Sequence, residues 1–295
     1  MTPPFLAALL WLCGLLATVA AVAAWLAGPQ LLAGLRRAHV RRQPFPPAWR
    51  DVLRRRMPAF AQLPADVQLQ AKKHAQVLIA EKPFIGCAGL EVTEEMRVLV
   101  AVQAALLLLN RRAGYFANLR QVLVYPGAFA VDRVNTDAVG LAHDTRSVLS
   151  GESWQQGQVI LSWRDVLAGA ADPHDGQNVV IHEFAHQLDQ ETGSANGAPR
   201  GLGRRRGQRW ARVMAHEFAQ LQQSLAQGTP GLIGAYAATN AAEFFAVASE
   251  LFFEKPAELA TLHGALYTEL AVYYHADPLL WQSSGMGPAR PPKRD

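Results

Sequence analysis

The chemically most informative stretch of the chain runs from Val179 to Asp189 and reads VVIHEFAHQLD, an apolar lead-in followed by the pattern H-E-x-x-H. His182 and His186 are four residues apart, so on a helix they lie one turn apart on the same face. Both imidazoles can then reach one metal ion, and Glu183 points into the same pocket. This combination is typical of the core of a zinc hydrolase.

The chemistry of such a site explains why these residue types are needed. Neutral imidazole binds zinc at about 2.0–2.1 Å, and a catalytic zinc takes three protein ligands and leaves the fourth position to water. Binding lowers the pKa of that water to about 7, which makes it a usable nucleophile. Glu183 stands beside a ligand without being one, so it is placed to take the proton of the water and pass it to the leaving amine.

The pattern by itself also fits an amphipathic helix whose histidines are ordinary polar residues. The apolar run before it and the loop after it, Glu191–Gly197, favour the metal-binding interpretation, because such helices are buried and end near the metal. His216 and Glu217 begin the same pattern elsewhere, but Gln220 stands where the second histidine is needed. We therefore expect that stretch to form a surface helix without a metal.

A third ligand is required, and the segment Tyr236–Phe253 contains the candidates. It predicts a second, largely apolar helix with Glu243 and Glu250 seven residues apart on one face. A carboxylate among phenylalanine and alanine side chains is costly to bury unless it is paired or binds a metal. Glu243 also fits a capping box with Asn240, and Glu250 fits an acid that faces solvent or supports a ligand from behind. The spacing alone does not choose between the two acids.

Five segments resemble the Mlc titration factor A family of zinc-dependent peptidases in order and spacing, over roughly residues 55–280. They are Glu81–Thr93 (EKPFIGCAGLEVT), Val122–Pro126 (VLVYP), Ser150–Gln158 (SGESWQQGQ), Val179–Asp189 and Tyr236–Ala246 (YAATNAAEFFA). The resemblance implies a gluzincin whose catalytic domain is similar to that of anthrax lethal factor. It also implies that zinc is held by His182, His186 and Glu243, and that Glu183 is the general base.

The same resemblance implies a role for Tyr236, which would lie beside the metal and donate its hydroxyl hydrogen to the oxyanion of the tetrahedral intermediate. The alternative for Tyr236 is an aromatic side chain that packs on the core at a helix entry. Family members show aminopeptidase-like activity on model substrates, and one is implicated in binding a glucose-system transcriptional repressor.

Two functions follow from these observations. One is a peptidase that acts on peptide or protein substrates, and the other is a regulatory binding protein of the same fold that sequesters a transcriptional repressor or another partner. The intact Glu183 favours the peptidase, because a binding protein does not need a general base.

The first 35 positions contain no Lys, Arg, Asp or Glu. The 24 residues from Phe5 to Gly28 are almost all apolar, and a helix of that length, rising about 1.5 Å per residue, matches a hydrocarbon core of about 30 Å. A secretory signal peptide needs a basic start and a shorter apolar run, whereas Met1–Pro4 carries no side-chain charge. We therefore predict one N-terminal transmembrane helix within residues 1–35.

Eight arginines follow between Arg36 and Arg56. By the positive-inside rule they place the rest of the chain in the cytoplasm, which predicts a single-pass protein of the bacterial inner membrane whose catalytic domain faces the cytoplasm. The net charge of +4 also suits nucleic-acid binding, but the arginines cluster beside the apolar run without interleaved aromatic residues, so we expect no nucleic-acid partner. Two isolated cysteines, Cys13 and Cys87, exclude a disulfide framework.

The predicted fold class is α+β, a mostly helical zincin-like domain with a small sheet over residues 65–284. Gln121–Tyr125 and Gln158–Trp163 are the β-type runs, and the segments around them read as helices or loops. A basic, proline-rich linker over residues 36–64 joins this domain to the anchor, and residues 285–295 are expected to form a disordered tail.

Two further expectations concern the rim of the cleft. Val159–Ser162 is a candidate for an edge strand to which an extended peptide can add main-chain hydrogen bonds, and an ordinary interior strand is the alternative. Gly193–Arg209 is rich in glycine and arginine, a composition that predicts a mobile loop.

Overall fold

A computed structural model of the chain describes residues 3–111, 114–127, 129–136, 142–149, 151–154, 157–193 and 195–284. The chain divides into two compact units, Met1–Pro44 and Phe45–Asp295, so the division falls inside the predicted linker. The predicted tail, residues 285–295, lies outside the described residues. The domain boundaries proposed from the sequence stay predictions.

Helices account for most of the described residues. The α-helices are α1 (Pro3–Arg42), α2 (Pro47–Arg56), α3 (Ala65–Glu81), α4 (Glu94–Leu106), α5 (Trp163–Ala171), α6 (Val179–Asp189), α7 (Arg204–Ala226), α8 (Ala241–Glu254), α9 (Pro256–Leu262), α10 (Gly264–Tyr274) and α11 (Pro278–Ser284). Short 3₁₀ helices cover Pro58–Gln62, Gln190–Thr192 and Ala235–Ala238.

The main sheet has four strands in the order β1-β2-β6-β5. Its strands are β1 (Phe84–Gly86), β2 (Gln121–Tyr125), β5 (Gly151–Trp154) and β6 (Gln158–Ser162). β1, β2 and β6 run parallel, and β5 pairs antiparallel with β6. Two further strands, β3 (Phe129–Thr136) and β4 (Ala142–Leu149), form a separate antiparallel pair. Many helices around a small sheet confirm the α+β fold class.

The first unit contains α1, which begins at Pro3, just before the apolar run, and ends at Arg42. Its last turn carries the basic residues His39, Arg41 and Arg42. Among the residues that the structure describes, no helix has a stretch that is both long and apolar enough to cross a membrane. The predicted transmembrane helix is therefore not supported by the described part of the chain.

Prolines begin helices in the segment that was predicted as a linker. Pro47 is the first residue of α2 and Pro58 is the first residue of a 3₁₀ helix. Proline is well tolerated at the first helical position because the N–H group that it lacks has no partner within the helix. Val52, Leu53 and Phe60 of this segment are buried, so it contributes to the core of the second unit.

The prediction of a mobile loop over Gly193–Arg209 is wrong for its last six residues, because α7 begins at Arg204. The next residue in the helix, Trp210, is buried, and its ring lies 5.8 Å from the ring of Phe245. Its indole N–H donates to the carbonyl oxygen of Gly197 at 2.7 Å. Anchoring Trp210 in the core therefore orders an arginine-rich helix start that composition alone assigns to a loop.

The core of the second unit is centred on α4. Every residue from Val98 to Leu109 is buried, and α4 contacts α2, α3, α5 and α6. The helix starts at a conventional cap, since Thr93 Oγ1 accepts from the Met96 backbone N–H at 3.3 Å. A helix that is apolar on all sides must be surrounded by other elements, so α4 provides a fixed surface against which α6 packs.

Gly157 precedes β6 at a backbone angle φ of +79°, in the left-handed region. A Cβ atom there would lie 2.3 Å from the carbonyl oxygen of Asn118, which is backbone and cannot rotate away. Gly228 has a similar φ of +67°, but a Cβ atom there meets nothing within 4 Å. Alanine at either position would be strained by the left-handed backbone, but only alanine at position 157 would also collide with a neighbouring atom.

We expect Gly157→Ala to lower the free energy of unfolding by roughly 3 kcal/mol, and Gly228→Ala by about 1–2 kcal/mol, the ordinary cost of left-handed alanine. Urea denaturation of the two variants beside the wild type measures both values. Equal losses would contradict the close approach of Gly157 and Asn118.

Candidate metal centre

The helix α6 carries both histidines of the H-E-x-x-H pattern, and its start is fixed by Asn178. The side-chain oxygen of Asn178 accepts from the backbone N–H groups of Val180 and Ile181 at 3.1 and 3.0 Å. This is the arrangement of a helix N-cap. Apolar side chains bury the other faces of the helix; Phe184, for example, packs edge-on against Phe116 with ring centroids 4.8 Å apart.

The third predicted ligand comes from α8, which packs against α6. Asn240 caps α8 by accepting from the N–H groups of Ala242 and Glu243 at 2.9 and 3.0 Å. Glu243 therefore stands in the first turn of its helix, with its carboxylate turned toward α6. Its oxygen Oε2 lies 3.0 Å from Nε2 of His182 and 3.3 Å from Nε2 of His186.

These distances fit a metal ion. The Nε2 atoms of His182 and His186 are 3.2 Å apart, so the two nitrogens and the Glu243 oxygen form a nearly equilateral triangle. Three ligand atoms at about 2.0–2.1 Å from one tetrahedral ion are about 3.3 Å from each other. Two imidazoles and one carboxylate are also the donor set of a catalytic zinc site. The structure thus brings together the three residues predicted as ligands.

The charges of the triangle support each other. Burial alone would lower the pKa of His182, but hydrogen bonds to Glu243 and Glu250 outweigh it and raise the pKa of this imidazole well above its ordinary value. Burial would raise the pKa of Glu243, but hydrogen bonds from His182 and His186 outweigh it and hold the pKa of this carboxyl well below its ordinary value. Both shifts show that the acids around His182 favour positive charge at this point, as a bound metal cation would supply.

Glu183, the predicted general base, is 3% exposed and lies on α6 directly after His182. Its carboxylate is close enough to His182 for its charge to favour the protonated imidazole. The structure therefore keeps Glu183 in the buried neighbourhood of the three predicted ligands.

Tyr236, the other predicted catalytic residue, lies in the 3₁₀ helix Ala235–Ala238 just before α8. Its side chain is 56% exposed, and its ring centroid lies 5.9 Å from that of His182. The carbonyl oxygen of Tyr236 accepts from the Thr239 hydroxyl at 2.7 Å, which holds the turn. Tyr236 is thus beside the triangle of candidate ligand atoms and open to solvent, and it is not the core-packing aromatic residue that was the alternative.

The sequence matches the glucose-regulated metallo-peptidase M90 family over residues 32–275. The chain belongs to this family. A Synechocystis protein, named uncharacterized protein slr2042, is 40% identical over 240 residues, which cover 81% of this chain and 87% of the relative. Mlc titration factor A from Yersinia pestis strain Pestoides F is 35% identical over 245 residues, covering 80% and 88% of the two chains. Mlc titration factor A from Yersinia pseudotuberculosis serotype O:1b has the same identity and coverage.

Membership in the M90 family confirms the resemblance seen in the sequence. A family of metallopeptidases implies a metal, and the triangle of His182, His186 and Glu243 is the group of His, Cys, Asp and Glu side chains that could hold one among the described residues.

Glu250, the other candidate ligand on α8, meets the opposite side of the His182 ring. Its Oε1 lies 2.7 Å from Nδ1 of His182, and its Oε2 accepts from the backbone N–H of Asn178 at 2.5 Å. Glu250 is buried and not part of the triangle. Of the roles left open for Glu250, the supporting acid fits the structure and the solvent-facing acid does not.

Asn178 was not singled out from the sequence, although its position was readable. An asparagine directly before an apolar helical run is an N-cap signal. What the sequence did not show is its second set of contacts, because the Asn178 side-chain amide donates to Gln103 Oε1 and Glu254 Oε1, both at 2.9 Å. These partners come from α4 and α8, far away along the chain.

The candidate edge strand, Val159–Ser162, is an interior strand. It belongs to β6, which pairs with β2 on one side and β5 on the other. Its residues pair with buried partners such as Val122 and Val124, which explains its continuous apolar character. β5 occupies the edge of the sheet on this side, and it contacts α6.

The stretch that begins with His216 and Glu217 lies on α7, as expected for a helix. His216 is exposed, whereas Glu217 is buried and bonds through Oε2 to Nδ1 of His263 at 2.7 Å. His216 lies on the exposed face of α7, as expected for a surface helix, and Glu217 lies on its buried face with a structural partner.

Glu254, at the end of α8, has a raised pKa of about 8. Burial is the main cause, and the nearby acids Asp175 and Glu250 add to it, against the hydrogen bond from Asn178. An unfolded glutamate loses its proton near pH 4.3. Between these two values the folded chain holds a proton that the unfolded chain has lost, so rising pH lowers the free energy of unfolding by about 1.4 kcal/mol per unit.

We expect Glu254→Gln to remove this dependence, because glutamine can still accept from Asn178 and does not titrate. The free energy of unfolding of the variant minus that of the wild type should rise by roughly 2–4 kcal/mol between pH 5 and pH 8 in urea titrations. Glu258→Gln, at an exposed acid of α9, is the matched control. The pH dependence of its free energy of unfolding should run parallel to that of the wild type. If the pH dependence of unfolding in Glu254→Gln also runs parallel to that of the wild type, Glu254 does not hold a proton in the folded chain.

Proposed function

We propose that this chain is a zinc-dependent metallopeptidase of the gluzincin type, with His182, His186 and Glu243 as the zinc ligands. The observation that carries the proposal is the triangle of their ligand atoms, with separations of 3.0, 3.2 and 3.3 Å. Membership in a metallopeptidase family supports a hydrolytic role. Aminopeptidase-like activity is part of the proposal and rests on the family resemblance.

Glu183 and Tyr236 have separate roles in the proposed reaction. When bound, zinc would polarise the substrate carbonyl and make a coordinated water acidic. Glu183 accepts the proton of the attacking water and delivers it to the leaving nitrogen, for which a buried carboxylate beside the ligands is suitably placed. Tyr236 donates a hydrogen bond to the carbonyl oxygen as negative charge develops there, and its exposure leaves it accessible to a peptide.

Zinc content and peptide hydrolysis, measured together on the full chain, test this proposal. We expect wild type and Glu183→Gln to bind one zinc each, and only the wild type to hydrolyse model peptides, with a loss in the variant of at least about 10³-fold in kcat. Tyr236→Phe should keep its zinc and lower kcat more than it raises KM, because the hydrogen bond forms as charge develops.

His182→Ala and Glu243→Ala should lose stoichiometric zinc, because each removes one of the three ligands. His216→Ala is the matched control, since His216 is also followed by a glutamate on a helix but is exposed and remote from the triangle in sequence. Retention of zinc by either ligand variant would overturn the assignment. Zinc in the wild type without hydrolysis of any peptide would overturn the peptidase.

A regulatory binding protein is the second candidate function, because Yersinia relatives carry the name Mlc titration factor A. In this proposal the fold captures a transcriptional repressor or another partner, and the metal serves the structure. Glu183→Gln separates the two functions, since a binding protein keeps its biological effect in this variant and a peptidase loses it.

The location in the bacterial inner membrane stays a prediction from the sequence alone. The apolar run before Arg36 and the arginines after it support a cytoplasmic position of the C-terminal unit. A reporter fused after Asp295 should be active only on the cytoplasmic side. Activity only outside the inner membrane would make the prediction wrong.

A further inference from the structure

Glu250 makes two hydrogen bonds that fix its carboxylate between α6 and α8. Oε2 accepts from the backbone N–H of Asn178 at 2.5 Å, and Oε1 lies 2.7 Å from Nδ1 of His182. The Glu250 side chain is buried, so water does not compete strongly for either contact. Both carboxylate oxygens thus have a defined partner.

The contact with Glu250 decides which nitrogen of His182 carries a proton. A carboxylate oxygen accepts hydrogen bonds, so Nδ1 of His182 must donate to it. With the proton held at Nδ1, the lone pair of a neutral imidazole is at Nε2. Nε2 is the atom that faces Glu243 Oε2 at 3.0 Å and belongs to the metal-binding triangle.

Asn178 fixes the position of Glu250 relative to α6, the helix that carries His182 and His186. The residue that donates to Glu250 is also the N-cap of α6, four residues before His182. The Glu250 carboxylate is therefore bonded both to the start of α6 and to the ring of His182. Any rotation of that ring away from the triangle breaks the bond to Glu250.

We propose that Glu250 is a positioning residue of the metal centre, which holds His182 in the tautomer and orientation that present Nε2 to the ion. The inference deepens the proposed function and depends on it in one respect, that a metal binds at the triangle. Partners of this kind, behind a ligand, typically contribute 10- to 100-fold to metal affinity.

Two substitutions of Glu250 separate positioning from packing. Glu250→Gln preserves size but replaces one acceptor by an NH₂ group. If the amide oxygen stays with Asn178, the NH₂ group faces Nδ1 and drives the proton of His182 to Nε2, where it blocks the metal. If the amide turns over, the NH₂ group meets the Asn178 N–H and that bond is lost. Glu250→Asp is smaller but keeps two acceptor oxygens.

Zinc affinity of the full chain, measured by competition with a chelator, is the test. We expect Glu250→Gln to bind zinc about 10- to 100-fold more weakly than the wild type, and Glu250→Asp to recover part of that loss. A role in packing alone predicts the opposite ranking, because glutamine fills the site and aspartate leaves a cavity. Wild-type affinity in Glu250→Gln, or weaker binding by Glu250→Asp than by Glu250→Gln, would overturn the proposal.

Glu217→Gln is the matched control. Glu217 is a buried acid that bonds to Nδ1 of His263 at the same distance of 2.7 Å, on α7 and outside the triangle. It should leave zinc affinity unchanged, and circular dichroism of each metal-free variant shows that it has folded. If Glu250→Gln does not fold, Glu250→Asp decides: a loss of less than tenfold supports the proposal, and a larger loss with an intact fold overturns it.

Failure of this inference differs from failure of the proposed function. Zinc binding without hydrolysis by the wild type overturns the peptidase, and the ranking of zinc affinities still judges Glu250. Hydrolysis by the wild type with unchanged zinc affinity in Glu250→Gln overturns only the role of Glu250. A wild type that binds no zinc overturns both.

Discussion

The packing of α6 against α8 depends on one partly buried imidazole held between two carboxylates. His182 of α6 has Glu243 at 3.0 Å from one ring nitrogen and Glu250 at 2.7 Å from the other, and both acids come from α8. Removing charged groups from water costs several kcal/mol per ion unless each finds a partner of good geometry. The two helices must therefore pack in a single register, because a shift of either one would leave an acid or the imidazole buried alone.

The polar contacts extend from this pair of helices into the centre of the core. Asn178 caps α6, donates its backbone N–H to Glu250, and donates its side-chain amide to Gln103 of the buried helix α4 and to Glu254 of α8. A buried network of this kind stabilises a unique arrangement when its members are satisfied. Through Asn178, the helix that carries two of the predicted metal ligands is bonded to the buried helix α4 and to α8.

The segments that follow α6 and precede α8 differ in how they are held and exposed. After α6, the carboxylate of Asp189 accepts from the N–H groups of Gly197 and Ala198 at 2.7 and 2.9 Å, and Trp210 donates to the Gly197 carbonyl. These bonds hold the chain that leaves α6. Tyr236, by contrast, lies in a short turn and is exposed. Residues that hold an ion benefit from rigidity, whereas a residue that meets a substrate must be reachable.

The sequence by itself determined what depends on short-range geometry. Four residues bring His182 and His186 to one face of a helix wherever that helix lies, and the strands at Gln121–Tyr125 and Gln158–Ser162 follow from their local composition. The α+β class followed from the same signals. The family resemblance linked Tyr236 and Glu243 to the histidines of α6, a connection that spacing along the chain could not give.

Only the tertiary structure separated the positions of Glu243 and Glu250 around His182. Seven residues on a helix are about two turns, or about 10 Å along its axis, so both acids share a face and spacing cannot separate them. The ring of His182 enters between them, and each acid meets a different nitrogen. Contacts between residues distant in sequence also decided three other features. They are the interior position of β6, the contacts of Asn178 and the ordered start of α7. Such pairings are set by how whole elements pack, which a local pattern does not encode.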